Sequence, residues 1–255
     1  MILGFLLLSG SLFGQSVRAF DESLFQERKA SLVFIEYFVQ REVDRQSREA
    51  IGLVADDAGT IVCLSSAFAD WIPPDRFRDI QVYSPDNVAG QGFPAEYLGQ
   101  DIVNGWHYLR MQGEDAMESF TPITEFGSAE IGLGEPLWGI GMTTGDLDYF
   151  PYFRDARVST RQQLPLWTGF TTEPVTVPGG PVFNFEGALV GWGRHPFPVE
   201  RDMWIGSDYY RVSIRNPDET SAFIEAGEFL KYLGEFIPET PTGQPRPWLG
   251  VSGTQ

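Results

Sequence analysis

This sequence is poor in the residues that most often carry chemistry. It has one cysteine, Cys63, and two histidines, His107 and His195, in 255 residues. A single cysteine excludes an intrachain disulfide. Cys63 lies in the apolar run Gly59-Thr-Ile-Val-Cys-Leu64, so it reads as a buried structural thiol and not as a nucleophile in an exposed, electropositive setting. Two histidines with no neighbouring cysteine or acidic cluster make no zinc site, and no cofactor is expected. Positive charge is also scarce: 18 Lys and Arg stand against 35 Asp and Glu, for a net charge of −17 and a pI near 4.4. A chain so acidic does not suit phosphate backbones, which excludes nucleic acid as a partner, and anionic membrane surfaces are disfavoured for the same reason. Finally, no apolar run is long enough to read as a membrane span. The most apolar stretch, residues 1–20, reads as a secretory signal peptide without the usual basic start, or as an uncleaved N-terminal anchor. Either reading places the chain outside the cytoplasm, in the periplasm or the extracellular space.

What is present is a strand-and-turn rhythm. At 42% hydrophobic and 21% charged the composition is that of a globular domain. Residues 20–30 are polar and predict a short leading helix. Runs rich in β-branched and aromatic residues follow at 31–39, 51–55, 60–64, 80–83, 92–99 and 106–111, separated by turns such as Asp56-Asp-Ala-Gly59. The charged segment 40–50 reads as a loop or exposed hairpin end. Further strands are expected within 123–126, 131–142 and 153–160, and a last one at 210–217. Residues 218–233 predict a helix, with Asp218 as N-cap and Phe223, Ala226, Leu230 and Leu233 on one face. Residues 235–247, with four prolines, read as a linker.

The stretch around which these elements are arranged is Thr176-Val-Pro-Gly-Gly-Pro-Val-Phe-Asn-Phe-Glu-Gly-Ala-Leu-Val-Gly191. Gly179 and Gly180 permit backbone angles that a Cβ disfavours, Pro181 starts an extended run, and Glu186-Gly187 is a hairpin turn. This stretch resembles the nucleophile segment of trypsin-like serine proteases, most closely of the HtrA (Deg) family, in which Gly-Asn/Asp-Ser-Gly-Gly-Pro leads into a strand, a turn and a second strand. The resemblance extends over roughly residues 31–252. It implies an all-β fold of two six-stranded β-barrels with a C-terminal helix, spanning residues 21–234. After the 235–247 linker, residues 248–255 resemble the opening strand of a PDZ domain.

The resemblance also locates three catalytic positions, and none holds its catalytic residue. The base position, after Ala67, is Phe68, which has no nitrogen to accept a proton. Matching Leu109-Arg110 to the family's Leu-Lys places the orienting acid at Gly105, with Asp101 four residues earlier as the misaligned alternative. The nucleophile position is Pro178, which also lacks the backbone N–H that would serve as an oxyanion donor. Losing one such donor costs about 2.7–4 kcal/mol of transition-state stabilisation. The implied protein is a catalytically degenerate HtrA-type domain that binds or scaffolds a peptide or protein in the cleft between its barrels. Gly179, Gly180 and His195 are the cleft candidates, and a homotrimer is the assembly the family implies. The alternative is an active endopeptidase whose site is elsewhere, with His107 or His195 as base and a serine within hydrogen-bond reach. His107 otherwise reads as a strand histidine with a local partner.

Overall fold

The structure, a computed structural model, describes residues 20–64, 68, 72–85, 90, 92–101, 106–113, 115–125, 127, 131–143, 149–164, 166–194, 199–205, 208–214 and 221–227. Helix α1 (Glu22–Lys29) leads in, with the Asp21 carboxylate accepting the Ser23 N–H as N-cap. Six strands follow: β1 (Leu32–Gln40), β2 (Arg45–Val54), β3 (Thr60–Leu64), β4 (Phe77–Tyr83), β5 (Phe93–Asp101) and β6 (Trp106–Met111). They close in the order β1-β2-β3-β6-β5-β4. The second half supplies β7 (Pro136–Met142), β8 (Pro151–Leu164), β9 (Leu166–Thr171), β10 (Pro181–Asn184), β11 (Leu189–Arg194) and β14 (Ala222–Glu225). These close as β10-β11-β14-β9-β8-β7, while β12 (Val199–Ile205) and β13 (Asp208–Ile214) form a two-stranded sheet of their own. The expected double six-stranded β-barrel is the fold observed.

Period-two alternation divides the apolar residues between three clusters. In β1, Val33, Ile35, Tyr37 and Val39 fill the first barrel, while Leu32 and Phe34 face the second. Likewise Leu109 and Met111 of β6 point inward and Trp106 and Tyr108 point outward. The second barrel is filled by Leu137, Val158, Val182 and Phe223. Between the barrels lies a shared cluster to which the first contributes Phe34 and Trp106 and the second Trp138, Phe183 and Trp192. Its centre is an edge-to-face contact of Trp106 on Trp192, with ring centroids 4.9 Å apart. Helix α1 packs on the same cluster through Leu24 and Phe25, and Phe20 just before it stands edge-on to Trp138 at 5.0 Å.

Of the two readings of 40–50, the exposed hairpin end is the one observed: β2 pairs with β1 out to Gln40↔Arg45, so the hairpin extends well beyond the barrel wall. Both faces of that extension meet water, which is why polar residues suffice there. Residues 218–233 do not form the expected helix throughout. Ala222–Glu225 is the strand that closes the second barrel, paired to β11 (Trp192↔Ile224) and to β9 (Phe223↔Gly169). All four of its residues are buried, so it shows no alternation, and a short apolar run without alternation is ambiguous between strand and helix. Helical residues begin only at Ala226 and Gly227, and residues 228–255, with the linker and the PDZ-like segment, lie outside the described residues. Finally, the described part of the strand expected at 210–217 lies in no barrel, because among the described residues Asp208–Ile214 pairs only with Val199–Ile205.

Arg28 ties α1 to the second barrel. Its side chain is 8% exposed. Nε–H donates to the Gly187 carbonyl at 2.6 Å, and the guanidinium also engages the carboxylates of Glu27 and Glu125. Gly187 has φ +85°, and a Cβ there would press on Leu24 of the same helix. Hydrogen bonds to a charged donor contribute about 1.5–3 kcal/mol. Arg28→Ala should therefore lower stability by about 2–3 kcal/mol, which for a domain of this size is a fall in Tm of roughly 5–10 °C. Thermal unfolding followed by circular dichroism measures it.

Candidate functional site

The glycine turn stands at the entrance to β10 and is held by backbone geometry. The Thr176 hydroxyl is buried and donates to the Ile140 carbonyl at 2.6 Å, fixing the turn to β7. Pro178 and Gly179 form the turn proper, with Gly179 at φ +84°, where a Cβ is disfavoured. Gly180 has a different reason to be glycine: a Cβ there would collide with Thr176 Oγ1 and lie 3.0 Å from the Ile140 carbonyl oxygen. The chain then enters β10, and Pro181 pairs with Trp192 of β11. The return hairpin closes where Asn184 Oδ1 accepts the Ala188 N–H at 2.8 Å.

The N–H groups of this turn are directed inward. Gly179 N–H donates to the Gly193 carbonyl at 2.8 Å, and Gly180 N–H to the Val177 carbonyl at 2.9 Å. Gly193 N–H returns a bond to the Gly180 carbonyl at 2.8 Å. Pro178, half-buried, has no N–H to give. Three successive residues of the turn thus present no unspent backbone donor toward a bound group.

Phe68, assigned by resemblance to the base position, is fully buried. Its ring stacks on Tyr37 at 4.3 Å and meets Phe77 edge-on at 5.5 Å, with Tyr97 and His107 also adjacent. All these partners belong to the first barrel, so Phe68 is a core residue and does not face the inter-barrel surface. Gly105 and His195 lie outside the described residues, as do Ser65, Ser66 and Ala67.

His107 is 1% exposed, and its Nδ1 shares a hydrogen bond of 2.8 Å with the Tyr97 hydroxyl. It projects into the first barrel on the side of Phe68 and opposite Cys63, its partner in the β3–β6 register. Burial pushes the Tyr97 and Tyr37 phenols and the Cys63 thiol up, well clear of their ordinary ranges. The sole cysteine therefore sits beside a histidine without being activated by it: apolar burial holds the thiol protonated. Among the described residues no cluster of three or more His, Cys, Asp or Glu is arranged to hold a metal.

Arg194, which the sequence reading did not single out, ends β11 directly after Gly193 and pairs with Ala222 of β14. Burial pulls its guanidinium pKa down from a value so high that the group stays charged.

Two closed six-stranded antiparallel barrels, with a glycine turn opening a strand of the second, define the trypsin-like double-barrel fold. No protein-family sequence model matches the chain, and no curated protein is similar to it in sequence. Similarity appears at the level of structure, where 488 solved chains match, so the fold does not rest on one neighbour. Among them is the crystal structure of Deg5, with a TM-score of 0.60 and 18% identity, covering 83% of this chain and 92% of Deg5. At that identity the likeness is one of fold.

Two measurements check this geometry. Cys63 should resist iodoacetamide in the native protein at pH 8 and label fully in denaturant; native labelling at the denatured rate would contradict its burial. Gly179→Ala should cost about 1–2 kcal/mol for a left-handed residue with room around it. Gly180→Ala should cost more, since backbone and Thr176 must move, and urea unfolding gives the order.

Proposed function

We propose that the protein is a serine pseudoprotease of HtrA type: a trypsin-like double barrel that performs no acyl transfer and binds or scaffolds an extended peptide or protein segment outside the cytoplasm. The single observation that carries this reading is the turn at Pro178. It has proline where the family has its nucleophile, so neither the hydroxyl nor the backbone N–H of that position is present. An oxyanion site needs donors held ready for charge that develops only in the transition state, and the N–H of the nucleophile position is one of the two that the family uses. Further support comes from Phe68, whose burial gives it a packing role, and from His107, engaged with Tyr97 inside the first barrel. Peptide binding requires none of the lost groups, because an extended segment is recognised through main-chain hydrogen bonds and side-chain pockets. Export, a trimeric assembly and a following PDZ-like segment complete the proposal, on the strength of the sequence resemblance.

The test is hydrolysis of an unfolded protein such as casein, together with labelling by a serine-directed fluorophosphonate. We expect neither turnover nor label. Pro178→Ser should also remain unlabelled, because the restored hydroxyl would have no base beside it. Turnover by the natural chain, abolished by replacing His107 or His195, would overturn the reading in favour of an active endopeptidase.

A further inference from the structure

Among the described residues, open strand edges remain where β2 runs on past β3, with Arg45–Gly52 paired to β1 alone, and along the hairpin β12–β13. Closing a sheet into a barrel removes its edges, and twelve of the fourteen strands are used in the two closed barrels. The hairpin β12–β13 belongs to neither. Its strands pair without interruption from Val199↔Ile214 to Ile205↔Asp208, with no bulge, and neither VERDMWI nor DYYRVSI contains proline. Bulges, prolines, very short strands and charged residues are the devices that blunt a strand edge, and of these the hairpin has only charged residues, of both signs. Among the described residues no third strand pairs with either side of it. A two-stranded ribbon is only marginally stable alone and gains from a third strand.

Its position ties it to the glycine turn. The hairpin leaves the barrel after β11, whose Gly193 exchanges hydrogen bonds with Gly179 and Gly180. The chain returns as β14, where Ala222 pairs with Arg194. The hairpin is thus an excursion between two neighbouring barrel strands, rooted beside the turn that the binding reading identifies.

Charge selects the occupant. The chain carries −17, and the hairpin strands hold Glu200, Asp202 and Asp208 against Arg201 and Arg211. A second copy would bring like net charge to the edge, whereas a cationic segment is attracted to it. We propose that the β12–β13 hairpin is the docking edge for an extended segment of a lysine- or arginine-rich polypeptide, which adds to it as a third strand. This rests on the peptide-binding reading above and specifies its partner and the element that receives it.

Hydrogen exchange read by mass spectrometry on the full chain tests it. The probes are a twelve-residue peptide of alternating lysine and valine, its glutamate–valine counterpart, and the lysine peptide N-methylated at every second residue. The lysine peptide should slow exchange of amides within 199–214 by roughly tenfold or more at saturation, the glutamate peptide should not bind, and N-methylation should weaken binding by about tenfold or more by removing main-chain donors. Equal binding of the N-methylated peptide would reduce the contact to bulk electrostatics and overturn strand addition. Slowing confined to 176–194, with none at 199–214, would overturn the hairpin edge while leaving the binding reading intact. Failure of the lysine and glutamate peptides alike to bind would count against both.

Discussion

Two closed barrels have no strand edges to offer one another, so what joins them must come from side chains and from the chain that crosses between. The crossing segment is built for this. Thr121 N–H donates to the Ala30 carbonyl and Ile123 N–H to that of Val54, fastening its first part to the first barrel. Two residues on, the Glu125 carbonyl accepts from Leu189, and Gly127 N–H donates back to the Leu189 carbonyl, fastening these positions to the second. Beneath it the aromatic cluster of Trp106, Trp138, Phe183 and Trp192 supplies the apolar contact. Helix α1 closes the third side, reaching from the start of β1 to the Gly187 turn through Arg28. The position of the glycine turn is a consequence of this interface, since β10 and β11 each place one of those aromatic residues in it.

That arrangement explains how the turn keeps its shape without catalytic groups. Gly180 is required by Thr176 and Ile140, and Gly179 by a positive φ; neither requirement involves a substrate. Gly179 and Gly180 have ordinary internal partners, and proline at 178 removes a donor that would otherwise need one. These three residues of the turn are satisfied as a piece of structure.

How much of this was legible in the sequence depended on whether the controlling physics was local. The stretch 176–192 was readable residue by residue, because turn glycines, a strand-starting proline and an acidic-residue–glycine hairpin act over a few positions. Helix α1 was readable from the polar, charged composition of residues 20–30, while its Asp21 cap is seen in the structure. β14 was not, because closure of the barrel by β9 and β11 makes it a strand, whereas the spacing of Phe223, Ala226, Leu230 and Leu233 suits a helix. The outer half of β2 was legible only as a loop or an exposed hairpin end, since a two-sided solvent-exposed strand carries no apolar signal. Phe68 shows the limit of motif order. It follows an alanine as the family base does, but only the packing against Tyr37, Phe77 and Tyr97 reveals a core side chain.

The same distinction bears on function. Chemistry depends on single atoms held at fixed places, so in the proposed reading one proline at the nucleophile position removes both a hydroxyl and an N–H that acyl transfer needs. Recognition by main-chain pairing depends on a row of equivalent groups along an edge, and no single substitution in the turn removes such a row. The excursion between β11 and β14 keeps such a row, with residue pairs unbroken from Val199↔Ile214 to Ile205↔Asp208 and a root next to Gly193, which bonds to the glycine turn. A double-barrel scaffold can therefore offer main-chain pairing independently of what stands at its nucleophile position.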